Sequence, residues 1–348
     1  MSMDEVLPFP LLALVGQPEL KTALILGLIN PQIGGVLISG PYGVGKTTAV
    51  RGLLDIMPRR EQQWQDAEGA THTSHEPMRL IELPLNARIE DVVGGINERV
   101  AIEQQRVLLE EGVLALAHRN LLYVDEINLL DPAVVKAILD AAAQGRTLVR
   151  RGPMTRLFPS QFFLVGSMNP EEGPLRPQIL DRFGLRVWVT PLEDPQARLE
   201  AYRRSHLFRS DPAAFRRAYA SQTSALAEEV EAAREILPHV ETPPYLEELA
   251  MNLVQTLKVP SQRAEIALLE AARARAAADF RDRVIEEDMR RIAPLALRQR
   301  HSMQIEQYAC GIADERSQID TALDSLITPK PPTQRSRKRS TVRQIEDD

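Results

Sequence analysis

Gly40-Pro41-Tyr42-Gly43-Val44-Gly45-Lys46-Thr47 decides how this chain is read. The octet fits the pattern G-x-x-x-x-G-K-[ST], follows the apolar run Gly35-Val36-Leu37-Ile38-Ser39 and precedes a helix-compatible stretch from Thr48 to Met57. In that order, strand then glycine-rich loop then helix, such a loop cradles phosphates. Its glycines let the backbone close around several negative charges, with N–H groups and a helix N-terminus supplying positive potential. Lys46 is then a point charge for the β- and γ-phosphates, and the Thr47 hydroxyl a ligand for Mg²⁺. A nucleoside triphosphate is the expected ligand; the plain alternative is a ligand-free turn between a strand and a helix.

The chain has 348 residues, enough for two domains with sizeable cores. Lys plus Arg number 42 and Asp plus Glu 48, a net charge of −6, which argues against a general nucleic-acid binder while leaving local basic patches open. A single cysteine, Cys310, leaves no partner for an intramolecular disulfide and no thiolate metal cluster, and reads as a packing residue in a reducing compartment. Met1 to Pro10 carries two acids and no basic n-region, unlike a signal peptide. No apolar stretch approaches the roughly 20 residues that span a bilayer. The expectation is a soluble, cytoplasmic protein, or a stromal one after loss of a transit peptide that the chain does not show.

Leu14-Val15-Gly16-Gln17 precedes an apolar-periodic helix through Leu20, Ala23, Leu24 and Leu28, expected beside the loop's strand. Pro58 to Pro77 is polar, with Trp64 its one large aromatic, and reads as a long insertion or loop. Arg79 to Leu83 reads as a second strand. From Arg88 to Asn120 a helical pattern breaks at Gly94-Gly95 and at Gly112, which suggests a helix carrying an inserted hairpin or loop, or two helices joined by turns. Leu121-Leu122-Tyr123-Val124 is a buried-type strand ending in Asp125-Glu126, about 80 residues beyond the loop. There Asp125 is expected in the Mg²⁺ shell and Glu126 as the group that polarises the attacking water.

Asp131 and Pro132 start a helix from Ala133 to Gln144 that Gly145 ends. Arg146 to Arg156 reads as two arginine-rich strands about Gly152-Pro153, either a contact for a polyanion or acidic partner or a solvated edge hairpin. Phe162 to Ser167 is a further buried strand, and Asn169 just beyond it can orient water or sense the γ-phosphate, or simply form a turn before Pro170. Arg182 follows a short helix and precedes a fifth strand, Arg186 to Thr190. It can reach a neighbouring subunit's nucleotide, pair with Asp181 or lie on the surface.

Five strands alternating with helices give an α/β fold: a doubly wound parallel sheet over residues 1–194. After Asp194-Pro195 the pattern is helical throughout, which sets an all-helical domain at 195–327. Within it Ser261 is an expected N-cap, and Arg263 projects from the first turn, free to meet a phosphate or paired with a nearby acid. Residues 328–348, with Pro329, Pro331, Pro332 and Arg335-Ser336-Arg337-Lys338-Arg339, read as a disordered basic tail.

Asp125-Glu126-Ile127-Asn128-Leu129-Leu130, Gly166-Ser167-Met168-Asn169-Pro170-Glu171-Glu172-Gly173 and Leu175 to Leu185 closely resemble the I subunit of magnesium chelatase, within the AAA+ ATPases. The resemblance runs from Pro8-Phe9 to about Leu297. It implies an ATPase that assembles into homo-oligomeric rings, expected to be hexamers, on an AAA+ sheet followed by a helical lid. It places Val15, Gly16 and Gln17 at the adenine, the loop through Lys46, Thr47 and Thr48 at the phosphates, and Thr47 and Asp125 at Mg²⁺, with Glu126 in the catalytic acidic pair. It makes Asn169 a γ-phosphate sensor, Arg182 an arginine finger given to the next subunit, and Arg263 a second sensor acting on its own or a neighbour's site. The broken helix from Asp91 to Gly112 and the hairpin from Leu148 to Arg156 match family inserts that engage partners.

The implied cofactors are ATP and Mg²⁺, and the implied partners the D and H subunits, the H subunit carrying the porphyrin. The implied function is the motor that drives insertion of Mg²⁺ into protoporphyrin IX in (bacterio)chlorophyll biosynthesis. The alternative is a MoxR-type or cobaltochelatase-type remodelling ATPase with a different von Willebrand-type partner. A DNA-acting ATPase using the arginine hairpin and tail ranks last because of the acidic balance. The segment from Pro58 to Pro77 looks shorter than in typical members, and the lone Cys310 leaves no pair for thiol regulation.

Overall fold

The computed structural model describes residues 7–65, 71–96, 102–103, 108–151 and 154–300. Cys310 and the basic tail lie outside them, as does the Gly152-Pro153 turn. Among the described residues no helix is long and apolar enough to cross a membrane.

A parallel sheet of five strands carries the fold: β1 (Val36–Ser39), β4 (Leu80–Leu83), β7 (Leu121–Val124), β10 (Phe163–Met168) and β11 (Leu185–Trp188), in the order β11-β1-β10-β7-β4. β1 lies second from one edge, with Val36 paired to Val165 on one side and Leu185 on the other, and all four pairings are parallel, so that every strand's carboxyl end faces the same way. Successive side chains of a strand face opposite sides of the sheet. Val36 and Ile38 accordingly join one buried cluster while Leu37 joins another. Both faces are covered, which is why these strands read as continuous apolar runs rather than alternating ones.

On the Val36 face lies α1 (Pro18–Ile29), whose Leu20, Leu24 and Leu28 are wholly buried. The same cluster continues into four of the helices that follow the sheet, α8 (Pro212–Ile236), α9 (Pro244–Thr256), α10 (Arg263–Ala278) and α11 (Glu286–Leu297), through Val230, Leu246, Leu268 and Ile292 among others; α7 (Pro195–Ser210), which precedes them, buries no residue. Alanines fill the buried face of α10, and their small size lets neighbouring helices come close. On the Leu37 face α5 (Pro132–Gln144) packs Val134, Val135 and Ile138. Asp131 caps it by accepting from the Ala133 N–H at 2.7 Å, and Gly145 ends it in a left-handed conformation.

Three expectations are corrected. The described residues between Pro58 and Pro77 form two paired strands, β2 (Arg59–Gln65) antiparallel to β3 (Thr71–Pro77), rather than a loop. The base of the pair is closed by main-chain bonding of Met78 N–H to the Pro58 carbonyl at 3.1 Å and by Arg60 on Glu76 at 3.3 Å, so it needs no apolar alternation to signal it. The helix after the loop, α2 (Lys46–Arg51), tightens to 3₁₀ geometry from Gly52, where the chain segment Phe9–Leu11 leaves no room for a Cβ. α10 begins at Arg263 with Gln262 as its flanking residue, and Ser261 accepts from the Arg263 N–H at 3.3 Å without itself being the cap.

The two sequence-read inserts are present. β5 (Gly94–Ile96) pairs with β6 (Leu109–Glu111) between the short helices α3 (Ile89–Val93) and α4 (Val113–Leu116). β8 (Arg146–Arg151) pairs with β9 (Met154–Pro159).

Candidate active site

The glycine-rich loop leaves the carboxyl end of β1 and delivers Lys46 and Thr47 to the first turn of α2. Gly40 passes so close to the Val189 carbonyl that any Cβ there would collide with it, which seats the loop against the chain beyond β11. Lys46 folds back on the loop, donating to the carbonyls of Gly40 and Pro41, the latter at 3.0 Å. Burial pulls its pKa down, while Asp125, Glu126 and Glu172 pull it up. An ammonium so placed can exchange these weak acceptors for phosphate oxygens.

Two neighbouring strands build the acidic side. Thr47 Oγ1 donates to Asp125 Oδ2 at 3.1 Å, and the Tyr123 hydroxyl donates to Asp125 Oδ1 at 2.8 Å while lying 3.2 Å from Thr47 Oγ1. Ser167 of β10 donates to Asp125 Oδ1 and accepts from the Glu126 N–H at 3.1 Å. Tyr123 sits two residues before Asp125, on the same face of β7, and Ser167 is brought opposite by the β7–β10 register. Burial raises the Tyr123 pKa strongly, so it remains a neutral donor. Glu126 itself is left-handed (φ 49°, ψ 49°), a costly conformation for a residue with a Cβ, and the Ser167 bond helps hold it. Its carboxyl pKa is raised by desolvation and by Glu172 and Asp125, against Lys46, which suits a proton acceptor.

Thr47 and Asp125 give two hard oxygen donors side by side. That set fits Mg²⁺, which keeps waters and phosphate oxygens for the rest of its octahedron. Among the described residues no group of three or more His, Cys, Asp or Glu forms a metal cage of its own.

Asn169 is almost wholly buried, at 1 % exposure, at the end of β10. Its side chain caps the short turn Pro170–Glu172, accepting from the Glu171 N–H at 3.2 Å, so it is both a turn former and a group at the phosphate end. Glu172 on that turn accepts from the Tyr42 hydroxyl, a bond that crosses from β10's extension to the loop.

Beside the loop opens a cleft of about 510 Å³. Val15, Gln17, Tyr42, Gly43, Val44, Gly45 and Thr48 of the sequence-read set line it. Gly16 and Gln17 are both left-handed, turning the chain so that Gln17 Nε2 bonds the Thr190 carbonyl at 2.7 Å. The sequence reading missed the opposite wall, which is Arg198, Ala201 and Ser205 of α7. Their spacing of three and four is a helix face, and only a glance at what that face meets distinguishes it from any polar helix surface. Tyr123, Ser167 and Glu172 were missed as well; Tyr123 had its place two before Asp125 as a signal.

Arg182 and Arg263 are not part of this assembly. In the parallel register Leu185 is level with Val36, so Arg182 lies before the amino ends of β11 and β1, whereas the loop lies beyond their carboxyl ends. The Arg182 carbonyl lies against Gly34, which precedes β1, and Gly184 is pressed so tightly on the Ile33 carbonyl that no Cβ would fit. Arg182 donates to the Leu139 carbonyl at 2.7 Å and pairs with Asp140 at 3.1 Å. Asp181 pairs instead with Arg263 at 3.2 Å and with the buried Arg300 at 2.9 Å. Arg182 and Arg263 share a second cleft, of about 300 Å³, that has no lining residue in common with the loop's cleft.

A sheet in this order, with a phosphate loop after the interior strand β1 and a helical AAA lid beyond, defines an AAA+ ATPase. The model for magnesium chelatase subunit ChlI matches residues 11–179, and that for the AAA lid domain residues 247–319. A magnesium-chelatase subunit ChlI homolog of Methanocaldococcus jannaschii is 39 % identical over 307 residues, covering 83 % of this chain and 84 % of its own. The magnesium-chelatase 38 kDa subunit of Acidiphilium rubrum is 38 % identical over 312 residues, covering 84 % and 90 %. A crystal structure of a protein from Cytophaga hutchinsonii superposes with a TM-score of 0.60 at 24 % identity, over 90 % of this chain and 91 % of that one, and supports the fold. The chain belongs to the ChlI subunit family of magnesium chelatase.

Proposed function

We propose that this chain is the ATP-hydrolysing motor subunit of a magnesium chelatase, whose complex inserts Mg²⁺ into protoporphyrin IX for (bacterio)chlorophyll formation. Mg²⁺ then has two roles: substrate of the complex, and counter-ion of ATP on this chain. The D and H subunits are the proposed partners, the cytoplasm the proposed compartment. Residues 1–194 form the ATPase part, 195–327 the lid and 328–348 a basic tail.

In this reading Val15, Gly16 and Gln17 flank the adenine, and the loop from Gly40 to Thr48 wraps the phosphates. Thr47 and Asp125 hold the counter-ion, which neutralises charge on the β- and γ-phosphates. Glu126 takes a proton from water as the water oxygen bonds to the γ-phosphorus and the bond to the bridging oxygen of ADP breaks. Asn169 senses the γ-phosphate. Tyr123 and Ser167 hold Asp125 aligned through their hydrogen bonds.

Arg182 and Arg263 serve the next subunit's nucleotide, because both lie at the amino ends of the strands while this chain's loop lies at the carboxyl ends. That separation within one chain is the observation that supports a ring, expected to be a hexamer. The test is reconstitution: the chain, D and H subunits, ATP and protoporphyrin IX should give the magnesium porphyrin. No product, with partners shown active beside another I subunit, refutes the reading.

A further inference from the structure

Arg198 carries no hydrogen bond or ion pair to its guanidinium among the described residues, and it is exposed on the wall of the cleft beside the phosphate loop. An arginine facing solvent is ordinary; one facing a cleft otherwise walled by the loop's backbone and the Leu14–Gln17 turn is not. The lining residues of that cleft include no carboxylate, so nothing within it neutralises the cation.

The helix that presents Arg198 is fixed rather than free. Asp194 caps α7 by accepting from the N–H groups of Gln196 and Ala197 at 3.2 and 3.0 Å, which sets the first turn. Between the cleft residues Ala201 and Ser205, Arg204 Nη1 donates to the Ala13 carbonyl at 3.1 Å and tethers the helix to the 11–14 segment. Phe208 near its end stacks edge-on against Phe9 with ring centres 5.2 Å apart. Lys21 holds the same segment through the Leu14 carbonyl. Arg198 is therefore carried on a rod pinned to the residues that form the cleft's other wall.

We infer that Arg198 is a nucleotide-binding residue acting in cis, the lid's cation for this chain's own ATP or ADP. The inference rests on the nucleotide reading above. It fills a gap that the geometry leaves: Arg263, the lid arginine that the family resemblance singles out, is paired with Asp181 at the far end of the sheet, away from this chain's phosphate loop. The anion that Arg198 meets is one shared by ATP and ADP, since the cleft is lined by Thr48 and the Val15–Gln17 turn rather than by Asp125 or Glu126. Its contribution is to affinity for both nucleotides rather than to the cleavage step.

The experiment titrates Mg²⁺-ADP and a non-hydrolysable ATP analogue into the full-length chain by calorimetry, diluted until light scattering shows single chains. Arg198→Ala should weaken both ligands about tenfold, and Arg198→Lys should recover part of the loss. Arg203→Ala, which removes an exposed charge from the same helix away from the cleft, should bind as the unaltered chain does. Equal affinities for Arg198→Ala and the unaltered chain overturn the inference. Equal losses for Arg198→Ala and Arg203→Ala also overturn it, since the effect is then one of net charge. Failure of the unaltered chain to bind either ligand refutes instead the nucleotide reading on which it rests.

Discussion

At the carboxyl end of the sheet Thr47, Tyr123, Asp125 and Ser167 hold one another through hydrogen bonds between adjacent elements, with Tyr123, Asp125 and Ser167 placed by the β7–β10 register and Thr47 by the first turn of α2. At the amino end Arg182 and Arg263 rest on Asp140 and Asp181, partly exposed carboxylates of their own chain. The first group is a site in itself. The second is a pair of cations in storage, held by ion pairs of the partly exposed kind, which contribute about 0–1 kcal/mol and are readily exchanged for a better anion. In the reading proposed above, a chain that keeps its phosphate loop and these arginines at opposite ends of one sheet brings the two together only across a boundary with a neighbour.

Breaking each end separately gives effects of different kinds. Arg182→Ala should lower the turnover of assembled chains by about 10³-fold while leaving ADP affinity of the single chain unchanged, read by phosphate release and calorimetry. Glu126→Gln should cut turnover by about 10²–10⁴-fold with ATP still bound; full hydrolysis in that variant would remove Glu126 as the proton acceptor. Tyr123→Phe takes a hydrogen bond from a half-buried carboxylate and should cost about 1 kcal/mol of stability in urea unfolding, with a loss in Mg²⁺-dependent ATP affinity. An unshifted midpoint would show that Asp125 does not depend on it. Asp140→Asn is the mildest: with the storage contact weakened, turnover should rise about twofold, and stability should change by less than about 1 kcal/mol. A fall in turnover would mean that Asp140 aligns Arg182 for use rather than holding it back.

Much of the first end was legible in the sequence, because it is written in local strings. The loop, the apolar strand before Asp125 and the one before Asn169 announce both their secondary structure and their chemistry, and a parallel sheet gathers strand ends without further information. Ser167 and Glu172 were not legible, since their roles depend on which strand lies next to which. Arg198 was hidden for a different reason: α7 has no buried residue, so its apolar pattern does not show which face turns inward. At the second end the sequence left Arg182 between a neighbour's nucleotide, Asp181 and the open surface. The structure gives a partner that none of these options named, Asp140 on α5, some 40 residues away in sequence, and assigns Asp181 to Arg263 and Arg300. The strand pair between Arg59 and Pro77 was unreadable because it is closed by main-chain bonds and polar pairs, with no apolar rhythm to mark it.

The central claim is that the two ends work only across a subunit boundary, and mixing two dead variants tests it. Arg182→Ala chains keep an intact loop and Glu126; Glu126→Gln chains keep Arg182. Each variant alone should hydrolyse almost no ATP. Mixed in equal amounts and allowed to reassemble, they should recover a substantial fraction of the unaltered rate, because some interfaces pair an intact Glu126 with a neighbour's Arg182. A mixture as inactive as its parts, with co-assembly shown by affinity pull-down of one tagged variant, would contradict the claim and place Arg182 in the service of its own chain or of none.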